Sequence, residues 1–210
     1  MKKIFFIYLT LTTIVFGYNY DDVILKAQAS IFPKVLLLDK RIESKLINGK
    51  IVYTIIYDDS DYLTALSIEK LINKNFKGQL DKYEYSVNLI DYRNFTDKIA
   101  TSAIYVLNLN KHIKKIAKIA NEKGIISFSY DINNLKKGLM FSLVIEKYTI
   151  LYLKREILLI EKIEFVDALL QMVKFVEKDY AYEDDIQYQN KLNLKSYYAS
   201  LFYNQKNDLD

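Results

Sequence analysis

Three short runs in this chain are apolar at nearly every residue, and they narrow the available folds more than any other feature. Residues 50–57 (KIVYTIIY), 103–109 (AIYVLNL) and 125–129 (IISFS) are rich in β-branched and aromatic side chains. A strand with one wetted face alternates apolar and polar residues, whereas continuous runs fit strands covered on both faces, as in parallel sheets flanked by helices. Helical patterns separate the runs. Residues 61–76 direct Leu63, Leu66, Ile68, Leu71 and Ile72 inward, and Gly78 is placed to end that helix. Residues 112–123 put Ile113, Ile116, Ala117 and Ala120 on one side and Lys114, Lys115 and Lys118 on the other, with Gly124 as the terminal cap. The alternation predicts an α/β fold: a Rossmann-like, mainly parallel sheet with helices on both faces.

The flanking segments extend this plan. Asp21 or Asp22 is placed to cap a helix whose inward stripe is Ile24, Ala27, Ile31, Val35 and Leu38, and Pro33 should kink or divide it. Residues 85–90 form a further strand. Residues 139–145 and 148–153, separated by Glu146 and Lys147, predict a C-terminal antiparallel hairpin, though without the favoured Asn-Gly turn. Val166, Leu169, Leu170, Val173 and Val176 then predict a closing amphipathic helix. Residues 178–210 are polar and Tyr-rich, a pattern that accommodates either a helix over 192–203 or a tail without fixed structure. No internal repeat and no Pro/Gly/Ser linker divides the chain, so residues 18–177 are expected to be one domain.

The first seventeen residues have the character of an export signal. Lys2 and Lys3 precede an apolar run over 4–16, and Gly17 offers a small residue before a cut ahead of Tyr18. The run is shorter than the roughly twenty residues a membrane-spanning helix needs. The expected location is therefore the periplasm, with no membrane insertion after cleavage; an uncleaved anchor is the alternative. About 190 residues remain, ample for a packed core. Losing Lys2 and Lys3 lowers the formal charge from +4 to +2, and the remaining basic residues are dispersed among acidic ones, which argues against nucleic acid as a partner. The absence of cysteine excludes disulfides, thiolate metal sites and a cysteine nucleophile.

Catalytic constellations fail on inventory. The single histidine, His112, lies at a strand-to-helix junction and no serine has nucleophile-elbow surroundings. The five glycines are isolated, so no phosphate-binding loop can be drawn. No catalytic residue, cofactor or bound metal is expected. Asp58, Asp59 and Asp61 could hold a hard cation, but a capping role for Ser60 or Asp61 explains them more simply. Ligands of open parallel sheets lie beyond the carboxyl ends of the strands. Those ends carry Asp58 and Asp59, Asn108 and Asn110, and Ser129 and Asp131, which are the candidate lining of one crevice. The triplet Asn94-Phe95-Thr96 matches a minimal glycosylation pattern and carries no assigned role.

The later half shows a kinship in order and spacing. Residues 125–131 (IISFSYD), 137–146 (KGLMFSLVIE), 148–153 and Ala168-Leu169-Leu170, together with Leu25-Lys26-Ala27 and Ile31-Phe32-Pro33-Lys34 near the start, resemble the YfiR-like family of periplasmic proteins. The resemblance spans roughly residues 23–177. Lys154 stands where the family usually has asparagine, the disulfides known in some members cannot form here, and the tail after Lys178 lies outside the pattern.

That resemblance implies a non-enzymatic periplasmic regulator that binds the outward part of an inner-membrane signalling protein, typically a diguanylate cyclase, and represses it. Phe32 and the tail residues Tyr197 and Tyr198 are the candidate aromatic anchors on the partner surface. A small-molecule binding protein serving a transporter or sensor is the alternative. The third reading is an envelope protein that self-associates, as a homodimer, through its tail.

Overall fold

The structure is a computed structural model, and it describes residues 20–109 and 112–177. Helix α1 (Asp22–Leu36) begins where Asp21 caps it, its carboxylate accepting from the Val23 and Ile24 amides at 2.8 and 3.1 Å. Pro33 does not divide the helix. It falls within the last turn, where its missing N–H removes one bond just before the helix stops. Strand β1 (Ile51–Tyr57) leads through a 3₁₀ turn (Asp59–Asp61) into α2 (Tyr62–Phe76). A two-residue strand, β2 (Gln79–Leu80), which the sequence pattern did not reveal, turns back on β3 (Tyr83–Asp91). Then come β4 (Ala103–Val106), α3 (Ile113–Lys123), β5 (Ile126–Ser129), β6 (Phe141–Ile145) and β7 (Thr149–Lys154).

Among the described residues, eight strands lie in the order β2-β3-β1-β4-β5-β6-β7-β8, where β8 spans Lys174–Val176. Strand β1 pairs in parallel with both β3 and β4, and β4, β5 and β6 continue in parallel. The β6–β7 hairpin is antiparallel, as expected. The chain is thus an α/β domain of Rossmann-like design. Helices α1 and α2 cover one face, burying Ile51, Tyr53, Ile55, Tyr105, Phe128 and Phe141, and α3 covers Ile56, Ile104 and Val106 on the other. Alternate residues of β1 and β4 therefore point to opposite cores, which is why their sequences show no polar alternation.

Four expectations are corrected. The buried stripe of α1 is Leu25, Ala29, Phe32 and Leu36, joined by Val35 from the expected stripe, whereas Ile24, Ala27 and Ile31 are only half-buried. Both stripes have spacings of three and four; the one with the larger aromatic payload faces the core. Phe32 is consequently no partner anchor: it is 1% exposed, stacked on Phe128 with centroids 4.6 Å apart and tilted against Tyr105 at 5.6 Å. Leu63 points outward at 76% exposure, because the buried residues Ala65, Ile68 and Ile72 define a stripe on the opposite side of α2. The closing helix is only α4 (Asp167–Met172), and the segment after it forms β8, parallel to β7. The open backbone edge of β7 offers hydrogen bonds that override the helical spacing of Val173 and Val176.

A buried ion pair fastens the late segment to the early one. Asp39, 1% exposed, accepts from the Arg41 amide at 3.1 Å, the Glu164 amide at 3.2 Å and Lys45 Nζ at 2.5 Å. Lys45 also donates to the Lys162 carbonyl at 2.7 Å. Each charge thus meets several partners, the condition under which a buried pair is tolerated.

Candidate functional site

The strand order places a topological switch point between β1 and β4, because the connection from β1 leads to β3 on one side and the chain then returns to β4 on the other. A crevice opens beyond the carboxyl ends of two such strands. Here it is filled from within. The Tyr20 hydroxyl accepts from the Asn108 amide at 2.9 Å, just past β4, and donates to Asp61 Oδ2 at 2.8 Å, at the start of α2. The Tyr20 ring meets Tyr130, which follows β5, edge-on with centroids 4.7 Å apart. The Tyr130 hydroxyl in turn accepts from the Asp21 amide at 2.8 Å, anchoring the backbone ahead of α1. One phenol therefore joins the ends of β1, β4 and β5.

Asp61 is 3% exposed. Its side chain makes no capping bond to α2, contrary to the expected role; the carboxylate turns to Tyr20 instead, and Asp58 caps the preceding turn by accepting from the Asp59 amide at 2.7 Å. Burial pushes the Asp61 pKa up, the Tyr20 hydroxyl holds it down, and the charge of Asp58 pushes it up again. Tyr20 occupies the position before the cap, where an aromatic residue packs back on its helix. That was the signal available in the sequence, and it does not say which groups the hydroxyl would meet.

Beside this crevice, Asp58, Asp59 and Asp91 bring carboxylate oxygens within 4.8 Å of one another. Arg93 answers them: its guanidinium reaches Asp59 Oδ2 at 2.6 Å and Asp91 at 2.7 and 2.8 Å. Hydrogen bonding from Arg93 lowers the Asp91 pKa, and the guanidinium supplies the positive charge that a cation would bring. Tyr92 stacks on His112 at 4.3 Å. His112 thus packs on a ring at the start of α3.

Of the six expected crevice residues, Asp58, Asp59 and Asn108 lie at the ends of β1 and β4. Ser129 does not line a crevice. It is fully buried, donating to the Asp131 carbonyl at 2.9 Å and accepting from Asn134 at 3.0 Å. Asp131 caps a 3₁₀ turn (Ile132–Leu135) by accepting from the Asn133 amide at 2.9 Å. Short polar side chains after a strand favour such local bonds, and here the turn consumes both residues. Asn110, Tyr197 and Tyr198 lie outside the described residues, as do the segment expected to be an export signal, residues 1–17, and the tail, residues 178–210. Away from the strand ends, a cavity of about 10 Å³ between Pro33, Tyr53, Ile72 and Phe76 is apolar and at the lower limit for one water.

No family model and no curated protein matches this chain. Among solved structures it is similar to a conserved domain protein from Vibrio cholerae O1 biovar El Tor, with 13% identity and a TM-score of 0.53 over 73% of this chain. It also matches the ABC domain in complex with L-Trp from Streptococcus pneumonia, with 10% identity and a TM-score of 0.45 over 69% of this chain. The chain spans 60% and 61% of the length of these proteins. The first likeness is one of fold alone; the second is too slight to carry an argument.

Proposed function

We propose that this chain is a periplasmic regulatory protein without catalytic activity, which binds the outward part of an inner-membrane signalling protein and represses it. A diguanylate cyclase is the output that the YfiR-like resemblance implies. The observation that supports this reading is the character of the carboxyl-end rim, where the crevice is filled by Tyr20 and exposed apolar side chains stand beside it. Val23 is 63% exposed, Tyr62 45% and Leu63 76%. One exposed leucine means nothing. These three occupy the first turns of α1 and α2, whose starts the Tyr20–Asp61 hydrogen bond ties together, and on this reading they are the side chains that the partner covers. Repression follows if the partner's inactive state binds this surface more tightly than its active state, and weakened binding shifts the population.

Crosslinked affinity purification of the tagged chain from intact cells tests the reading. Wild type is expected to enrich one inner-membrane protein bearing a periplasmic segment and a cytoplasmic signalling domain, and Leu63→Asp to reduce the capture by roughly tenfold or more. Leu63 is exposed, so the variant retains the fold. Capture of no such protein by folded, exported wild type removes the reading and puts small-molecule binding first.

A further inference from the structure

We propose that the switch-point crevice is a ligand site for small phenols, held shut by the side chain of Tyr20 acting as an internal substitute for the ligand. The groups around the Tyr20 hydroxyl form a complete recognition set for an aromatic hydroxyl. A backbone N–H, that of Asn108, donates to the oxygen; a buried carboxylate, Asp61, accepts the hydroxyl's hydrogen bond; and the edge contact with Tyr130 walls the ring. Buried polar groups of this kind discriminate strongly, because a ligand lacking the hydroxyl leaves both unpaired.

Turning Tyr20 out gives up its packing against the core and its hydrogen bonds at this site, which the ligand's ring and hydroxyl replace. Tyr20 precedes the cap, and the Asp21 carboxylate holds the Val23 and Ile24 amides by itself. The backbone stays fixed through the Asp21 amide and the Tyr130 hydroxyl, so only the side chain has to turn out. A ligand then binds with its intrinsic affinity multiplied by the fraction of molecules in which Tyr20 is out. The crevice would provide a sensory input whether or not the partner surface is correctly assigned, since its residues are distinct from Val23, Tyr62 and Leu63.

The test uses the full chain with p-cresol as probe and toluene as the control lacking a hydroxyl. Binding is read by calorimetry and by the Asn108 amide signal in nitrogen-15 spectra, for wild type, Tyr20→Phe and Tyr20→Ala. Tyr20→Phe keeps the ring and loses both hydrogen bonds, so p-cresol should bind it about tenfold more tightly than wild type. Tyr20→Ala should bind p-cresol more tightly still, with toluene at least about tenfold weaker. Equal affinity across the three proteins, or binding that leaves the Asn108 amide unmoved, overturns the proposal. If Tyr20→Ala fails to fold, the comparison of Tyr20→Phe with wild type decides.

Discussion

Two carboxylates at the carboxyl-end rim respond oppositely to acid. Asp61 has its pKa raised above 3.8, chiefly by burial, so the fold disfavours its charged form, and this effect is relieved as pH falls through the folded pKa. Asp91 is lowered chiefly by the hydrogen bond from Arg93, so its contribution to stability is present above its unfolded pKa and lost as pH falls through the folded one. Carbon-13 titration of the side-chain carboxyls should place Asp61 above 3.8 and Asp91 below, with Tyr20→Phe moving Asp61 higher still. An Asp61 midpoint that does not move in that variant would show that the hydroxyl is not its partner. At this scale the sequence was least informative. Acidic residues before a helix point equally to caps and to a tertiary hydrogen bond, and only the arrival of Tyr20 from 41 residues away decides between them. Phe32 and Leu63 were misjudged for a related reason. A helix carrying apolar residues all round has several stripes with acceptable spacing, and the facing surface selects one.

Elements were more legible, because local chemistry fixes their ends. The α3 helix stops at Gly124, whose φ of +70° lies in the left-handed region, and a Cβ added there would lie 2.4 Å from the Lys162 Cβ. Gly124→Ala combines a strained backbone with a collision, and urea unfolding should show a loss of roughly 1–3 kcal/mol. A loss below about 0.5 kcal/mol would mean that the Lys162 segment yields freely. The runs that became β1, β4 and β5 were identified because burial on both faces leaves an unmistakable composition. Strand β8 was not. Its three residues carry too little pattern to outweigh a helical spacing, and its conformation comes from the neighbouring edge of β7.

For the molecule as a whole, one side chain ties the layers together. Gln28 of α1, 1% exposed, donates to the carbonyls of Tyr130 and Leu143 at 3.2 and 3.3 Å and accepts from the Tyr105 hydroxyl of β4. Gln28→Leu and Tyr105→Phe should each cost about 1–3 kcal/mol, since each strands a buried polar partner. The double variant should cost less than their sum, and additivity within about 0.3 kcal/mol would disprove the coupling. The α/β architecture was legible as a whole because strand and helix signals alternate along the chain. The crevice was only half legible: its position follows from topology, and its filling by Tyr20 depends on where α1 docks.

The ion pair of Asp39 also bears on how such a chain reaches its native state. One of its partners, the Glu164 amide, lies 125 residues downstream. While the chain is being made, the Asp39 carboxylate must wait in water for that donor, and the early segment gains its final anchor only when nearly the whole domain has emerged. Contacts closed across so much sequence form slowly. The first helix and strands therefore pass through a period in which they are assembled but unfastened, and a chain cut short before residue 164 would remain in that state.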